Sequence, residues 1–416
     1  MSKEPKIYKL DAWIKQGALS LGRGNIISKV DIKKDQGSYP IYSSSAHNNG
    51  KFGEYGHYMF DEELVTWSVD GGGSFFYRPK HKFSVTNVCG YMRVNGDFFD
   101  TSYVYYCLAH QHESLTFDYT TKAHPSVIRN LYWLPSIDMT IQKKISKILR
   151  TCDEVIDKTS SLVKKYKEIK VGILGDLFYR GVDSDGEIRL KYEVSPELYK
   201  KESFGWIPKE WDVVSFGNVI SVIDPNPSHR YPPDSENGYP ICSTENFYGD
   251  DDFDFKKSKL VSENVFNSQN NRCNFAPTDV VFARKGRIGL ARRYGLQKKA
   301  FSHTVVIMKP LDHRVDENWL LWLTRSSCFL NSIEKEMNTN LGVPTLGVDF
   351  IKRISIPIPK IEEQIKINGV LDKLAEKINL LEQELIKLRY KKQGLMHDLL
   401  TGKISMQLKD KGVHHV

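Results

Sequence analysis

The chain has 416 residues, a formal net charge of +8 and a pI near 8.9, which leaves room for two or more domains with separate cores. Its hydrophobic and charged fractions, 40% and 26%, are those of a water-soluble globular protein, and no apolar run nears the roughly 18 residues of a membrane span, so the expectation is no membrane segment. The start lacks a hydrophobic signal core, and the six cysteines form no C-x-x-C pair, so a cytoplasmic protein without a disulfide framework or zinc site is expected.

Residues 1–135 are rich in Gly, Asn, Tyr and Phe, with short strand-like runs such as Leu64-Val65-Thr66-Trp67. The polar stretch Ser43, Ser44, Ser45, Asn48 and Asn49, the turn at Asp70 and Gly72, and Lys122 with His124 are its candidates for contact with a polyanion partner. Ser and Asn side chains read base edges or phosphates, but they also make ordinary turns. The glycines after Val69 suggest a cofactor-cradling turn. The strand-like Ser74-Phe75-Phe76-Tyr77 follows where a helix should start, so a tight loop is the better reading.

Residues 136–181 carry an apolar heptad at Ile145, Cys152, Thr159, Tyr166 and Ile173, with Leu149, Ile156 and Val163 between. That spacing reads as a coiled-coil seam. A polar connector, 182–203, follows with the turn signal Asp183-Ser184-Asp185-Gly186.

Residues 204–357 are a weak copy of the first segment. Tyr39-Pro40-Ile41 and Ser43 recur as Tyr239-Pro240-Ile241 and Ser243. Phe83-Ser84 and Thr86 recur as Phe301-Ser302 and Thr304, and Asp100, Tyr103 and Tyr106 as Asp316, Trp319 and Trp322. The aromatics sit at helical spacing and are expected in the core. Arg284, Lys285, Arg287, Arg292, Arg293, Lys298 and Lys299 fall in one stretch free of carboxylates, punctuated by Gly286 and Gly289. This predicts a basic loop or hairpin able to neutralise phosphates or fork onto guanine; a solvated basic hairpin is the bland alternative.

Residues 358–403 repeat the heptad 222 positions later, at Ile367, Leu374, Leu381, Leu388 and Leu395, with Leu371, Ile378 and Leu385 between. The same offset carries Gln142 onto Gln364, Lys170 onto Lys392 and Asp176-Leu177 onto Asp398-Leu399. One offset for apolar and polar positions alike signals an internal duplication. The reading is globule, long helix, globule, long helix, with a loosely ordered tail at 404–416.

Catalytic motifs are hard to find. Asp224-Pro225-Asn226-Pro227 and Tyr231-Pro232-Pro233-Asp234 do not fit the loop of an adenine methyltransferase, and no G-x-x-x-x-G-K-[ST] phosphate loop occurs. Asp234, Asp254 and Lys256 match a loose metal-nuclease pattern, in which two carboxylates would hold one divalent ion.

Four motifs, in order, are similar to those of a known family. They are Tyr39-Pro40-Ile41-Tyr42-Ser43-Ser44-Ser45 with Asn48-Asn49-Gly50, Ser203-Phe204-Gly205-Trp206-Ile207-Pro208 with Trp211, Ile356-Pro357-Ile358-Pro359 with Glu363-Gln364, and Lys392-Gln393-Gly394-Leu395-Met396 through Thr401-Gly402-Lys403. Together they resemble the specificity subunit of type I restriction–modification systems. The first half departs from the pattern: only Trp13 hints at the entry motif, and Asp176-Leu177-Phe178-Tyr179-Arg180 replaces the Thr-Gly-Lys ending.

The resemblance implies an α/β fold. Two α/β target recognition domains (1–135 and 204–357) would be separated by two long conserved helices (136–181 and 358–403) pairing as an antiparallel coiled coil, an internal pseudo-twofold repeat. The chain would be a non-catalytic reader of a bipartite double-stranded DNA target. Two methyltransferase subunits using S-adenosylmethionine would dock on it, and restriction subunits using ATP and Mg²⁺ would join them; this chain itself would bind no cofactor. One rival is the specificity subunit of a combined system with a fused methyltransferase–nuclease. Others are a metal nuclease using Asp234, Asp254 and Lys256, and a coiled-coil scaffold. The recognised bases are not readable from the sequence, because readout depends on exact side-chain placement.

Overall fold

The structure is a computed structural model, and it describes residues 6–45, 48–70, 72–115, 122–337 and 345–404. The predicted tail from residue 405, Gly71, and residues 46 and 47 of the polar loop lie outside the described residues. The chain divides into two compact units, residues 1–161 with 383–416, and residues 162–382. The linear segments read from the sequence differ from this division, because its boundaries fall within the two long helices, Met139–Arg180 and Ile361–Leu400.

The first unit is built on a six-stranded sheet, in the order Leu19–Arg23, Cys89–Val94, Phe60–Ser68, Phe75–Val85, Tyr39–Tyr42, Lys51–Tyr55. Neighbours are antiparallel except Tyr39–Tyr42 beside Phe75–Val85, where Ile41 faces Ser84. Val65 and Trp67 on the central strand are fully buried. They join one core with helix Thr101–His112, whose Tyr103, Val104, Cys107 and Leu108 face inward.

The second unit repeats this plan in two pieces. Ile220–Ile223, Val305–Pro310, Val280–Ala283 and Ala291–Arg293 form one sheet; Leu260–Val261, Tyr239–Cys242 and Ala300–Phe301 form another. Here too a parallel pair, Ile241 facing Ala300, joins the Tyr-Pro-Ile strand to its partner. Helix Glu317–Arg325 packs Trp319 and Trp322 into the core, as the aromatic spacing predicts.

Both units anchor their helices in the same way. Asp100 caps helix Thr101–His112 through Tyr103 N, 2.8 Å, and also accepts from Ser146 Oγ, 2.6 Å. Gln142, fully buried, accepts from Asp100 N at 2.9 Å and donates to the carbonyls of Phe98 and Ile137. In the second unit Asp316 caps Asn318 and Trp319 and accepts from Asn368 Nδ2, 2.7 Å. Gln364 accepts from Asp316 N, 2.9 Å, and donates to the carbonyls of Arg314 and Pro359. A buried amide must satisfy its donors and acceptor, and each glutamine does so by pinning a long-helix start to a short-helix cap.

Within each unit the long helices run antiparallel. In the first, Ile145 and Leu149 share a core with Met396 and Leu399, and Lys392 Nζ lies 2.5 Å from Asp153 Oδ1. In the second, Leu177 and Phe178 share a core with Ile367 and Leu371, and Lys167 Nζ lies 2.6 Å from Glu382 Oε1.

The seam departs from the strict heptad. Stepping about 3.6 residues per turn from Ile367 lands on Leu371, Leu374, Ile378, Leu381 and Leu385, passes between Leu388 and Arg389, and goes on to Lys392, Met396 and Leu399. Met396 and Leu399 are buried, whereas Leu395 is 37% exposed. Ile173 is half-buried, while Leu177 and Phe178 are fully buried. An α-helix with about 3.6 residues per turn drifts about 20° per heptad, so its seam moves off the residues a supercoil would keep. Ile156, Tyr166, Leu374, Leu381 and Leu388 are half-buried rather than enclosed.

Candidate nucleic-acid interface

In each unit, loops leave the same ends of matching strands. In the first unit the turn after Phe60–Ser68 is held from outside: Ala123 N donates to Val69 O, 2.9 Å. The polar loop is tied beside it, with Ser68 Oγ donating to Ser44 O, 2.8 Å, and Thr86 Oγ1 to Ser43 Oγ, 2.9 Å. Asn48 and Asn49 take left-handed backbone, φ 49° and 53°, which asparagine tolerates better than most residues. Asp70 is paired with Lys122 at 3.2 Å, and His124 caps helix Pro125–Leu131 through Ser126 N, 3.3 Å. Asp70, Lys122 and the serine loop are thus brought together, while His124 has a local structural task.

Beneath this loop lies Arg78, 1% exposed, which the motifs above do not single out. Its Nε donates to Thr66 Oγ1, 2.9 Å, and its guanidinium lies 3.6 Å from the centre of the Tyr42 ring. Burial pushes its pKa down to about 10. The run Phe75-Phe76-Tyr77-Arg78, an arginine embedded among aromatics, is the signal in the sequence that could have found it.

The second unit places the basic stretch as a hairpin: Val280 faces Arg293, Val281 faces Arg292 and Phe282 faces Ala291. Gly286 turns it at φ +76°, where a side chain would be strained. The turn is again held from outside, with Leu346 N donating to Arg284 O at 2.9 Å.

The seven cations divide. Lys285 and Arg293 are half-buried, and Arg287 and Lys298 are exposed, with Arg287 Nη1 donating to Phe247 O at 3.0 Å. Arg284, Arg292 and Lys299 are turned inward, at odds with the expected direct DNA contact. Arg284 donates from Nη2 to Asp224 Oδ2, 2.6 Å, and from Nε to His303 O, 3.1 Å. Arg292 donates from Nη1 to Ala291 O, 2.8 Å, and from Nη2 to Gly249 O. Lys299 Nζ donates to the carbonyls of Tyr294 and Gln297 at 2.5 and 2.7 Å, and burial pushes its pKa down to about 8. Lys299 satisfies carbonyls in the gap between Ala291–Arg293 and Ala300–Phe301, where the counterpart of strand Phe75–Val85 of the first unit is broken in two.

Two histidines that carry no motif in the sequence stand beside Arg284. His229 Nε2 lies 3.2 Å from Arg284 Nη2 and 3.4 Å from Asp224 Oδ2, and its ring stacks on His303 with centroids 5.5 Å apart. Burial first, then Lys285, His229 and Arg284, hold the His303 imidazole below its usual pKa. The nuclease pattern is not assembled. Asp234 pairs with Lys259 at 2.8 Å, and Asp254 caps Lys256 N at 3.0 Å. Among the described residues no group of three or more His, Cys, Asp or Glu side chains could hold a metal ion, and no helix is long and apolar enough to cross a membrane.

Each of the two units thus carries an α/β frame that presents a cluster of polar and basic loops. The sequence matches the model of the type I restriction modification DNA specificity domain over residues 19–170 and 208–390, and the chain belongs to that family. It is 22% identical over 352 residues to the type I restriction enzyme MjaVIII specificity subunit of Methanocaldococcus jannaschii, covering 83% of this chain and 79% of that one. A putative type I specificity subunit N-terminus from Mycoplasma pneumoniae is 39% identical over 105 residues. That match spans only 25% of this chain and 53% of the relative. The type I restriction–modification S subunit from M. genitalium has a similar fold, with a TM-score of 0.60 at 16% identity, over 95% of this chain and 96% of that one.

Proposed function

We propose that this chain reads a bipartite double-stranded DNA target and directs partner methyltransferase and restriction subunits to it. The observation that carries the reading is the duplication: two units present equivalent loops, each tied by a backbone bond from the segment before the next helix. Each globule reads one half-site, and the helices set the gap between them. In the second domain Lys285, Arg287, Arg293 and Lys298 meet the DNA, while Arg284, Arg292 and Lys299 shape the loops that carry them. In the first, Ser43 to Ser45, Asn48, Asn49, Gly72 and Lys122 supply polar contacts.

S-adenosylmethionine, ATP and Mg²⁺ act on the partner subunits. Exposed apolar side chains on the helices give those subunits something to bury: Val155, Ile386 and Tyr390 in the first unit, and Leu162, Ile169 and Val171 in the second.

The test is genome-wide methylation mapping in cells expressing the chain with its methyltransferase. Replacing residues 204–357 by the matching domain of a relative should change one half-site and leave the other half and the spacer unchanged. A swap that changes both halves, or neither, overturns the divided reading.

A further inference from the structure

We propose that His229 is a base-reading residue of the second recognition domain, held by Arg284 and Asp224 as a hydrogen-bond donor of fixed identity; this rests on the DNA-reading function above. The loop Asp224–Arg230 is braced from within. Asn226 N donates to Asp224 Oδ1 at 2.9 Å, Asn226 Nδ2 to Arg230 O at 2.8 Å, and Ser228 Oγ to Asn226 Oδ1 at 2.8 Å. Arg272 adds a bond to Pro225 O at 3.0 Å, and Pro225 and Pro227 restrict the backbone. Asn226 is 7% exposed, so the brace is interior.

At the crest, His229 takes φ +55°, closed by a bond from its own N to Asn226 O at 3.1 Å. Left-handed backbone at a non-glycine residue persists where the surroundings over-determine it, and such sites cluster at ligand contacts. Its side chain is 59% exposed.

The ring chemistry follows from its neighbour. A guanidinium only donates, so Nε2, 3.2 Å from Arg284 Nη2, accepts from it in the tautomer this assignment takes. The neutral ring then keeps its proton on Nδ1, which has no hydrogen-bond partner among the described residues. If the ring gains a second proton, Nε2–H faces Asp224 Oδ2 instead, and Nδ1–H is a donor still. A neutral donor adds little to phosphate binding beside Lys285 and Arg287. It does discriminate between base edges, favouring acceptors such as purine N7, guanine O6 or thymine O4 over the amino groups of adenine and cytosine.

The test uses the full chain assembled with its methyltransferase subunit and selects from a pool of random duplexes. His229→Ala should relax one base position in one half-site, with a roughly three- to tenfold loss of discrimination there, and leave the salt dependence unchanged. His229→Asn, whose amide nitrogen sits near the place of Nδ1, should restore the preference; His229→Gln, which reaches the place of Nε2, should not. Unchanged base preferences in His229→Ala overturn the assignment, and so does a uniform weakening with a shallower salt slope, the signature of a phosphate contact. If wild type enriches no sequence at all, the DNA-reading function itself falls and this assignment with it.

Discussion

Each half buries one tryptophan beside the strand pair that leads into its long helix, and the two use different acceptors. In the first half Ile7–Lys9 pairs with Trp133–Pro135, and Trp13 Nε1 donates to the Leu134 carbonyl at 3.2 Å. In the second, Asp212–Ser215 pairs with Ser355–Ile358, and Trp211 Nε1 donates to the Glu363 carboxylate at 3.0 Å. Glu363 has further work. It accepts from Val182 N, 2.9 Å, and forms a two-pronged pair with Arg189. Gly181, at φ +62°, passes so close that a side chain there would strike Glu363, Arg189 and Trp211. The second half must tie down a connector that the first half lacks, and it replaces a neutral acceptor by a charged hub to do so.

The largest test of that difference removes the hub. Arg189 and Glu363 are 11% and 12% exposed, so breaking the pair leaves the Arg189 guanidinium with only the exposed Glu210, 3.6 Å away, as counter-charge among the described residues. Glu363→Ala should cost about 3–5 kcal/mol. Hydrogen exchange should show the destabilisation spread over residues 182–211. A cost under about 1 kcal/mol would mean that the connector is held elsewhere.

Next comes the seam, where the two helices are unevenly enclosed. Leu371 and Leu149 are fully buried, one in each unit, and truncation to alanine should cost about 2–5 kcal/mol at either. Leu388→Ala should cost less, because its side chain is half-buried. Leu395→Ala should fall within about 0.5 kcal/mol of wild type, while Met396→Ala should not. Chemical unfolding separates these cases. Equal costs at Leu395 and Met396 would restore the strict heptad.

Much of this frame is legible in the residues. The 222-residue offset places both long helices, and Asp100/Asp316 and Gln142/Gln364 show as repeats, while their capping and pinning contacts come only with the fold. Period and polarity are local properties, so a sequence displays them. The drift from Leu395 to Met396 is hidden, since heptad and 3.6-residue stripes diverge only after several turns. The loops are legible as loops, but not in their contacts. Arg284, Arg292 and Lys299 read as solvent-facing because the stretch they sit in holds no carboxylate; Asp224 and Gly249 O reach the two arginines through folding, and Lys299 turns back onto the local carbonyls of Tyr294 and Gln297. His229 gives no signal, because its interest comes from Arg284 and from a left-handed backbone.

The loop clusters supply a third comparison. In the first unit the exposed Lys122 is already paired with Asp70, whereas the exposed Arg287 and Lys298 of the second form no ion pair among the described residues. Removing one phosphate-binding cation lowers the salt slope by about one unit. Lys285→Ala/Arg287→Ala/Lys298→Ala should therefore flatten the salt dependence of DNA binding by about three units, and Lys122→Ala by about one at most. Equal slopes would show that the two halves share the electrostatic work evenly, against the division between their loops.

The smallest effect returns to the tryptophans. Trp13→Phe and Trp211→Phe remove similar volume from buried sites, 6% and 1% exposed, so their packing costs are comparable. What differs is the acceptor left behind. A bond to a neutral carbonyl contributes about 0.5–1.5 kcal/mol, and one to a charged group about 1.5–3. Trp211→Phe should thus exceed Trp13→Phe by about 1 kcal/mol in chemical unfolding. Repeating both in a Glu363→Gln background isolates the charge, because the amide still accepts but carries no charge. There the excess of Trp211→Phe should shrink toward zero. If it persists, packing around Trp211 and not the carboxylate distinguishes the two halves.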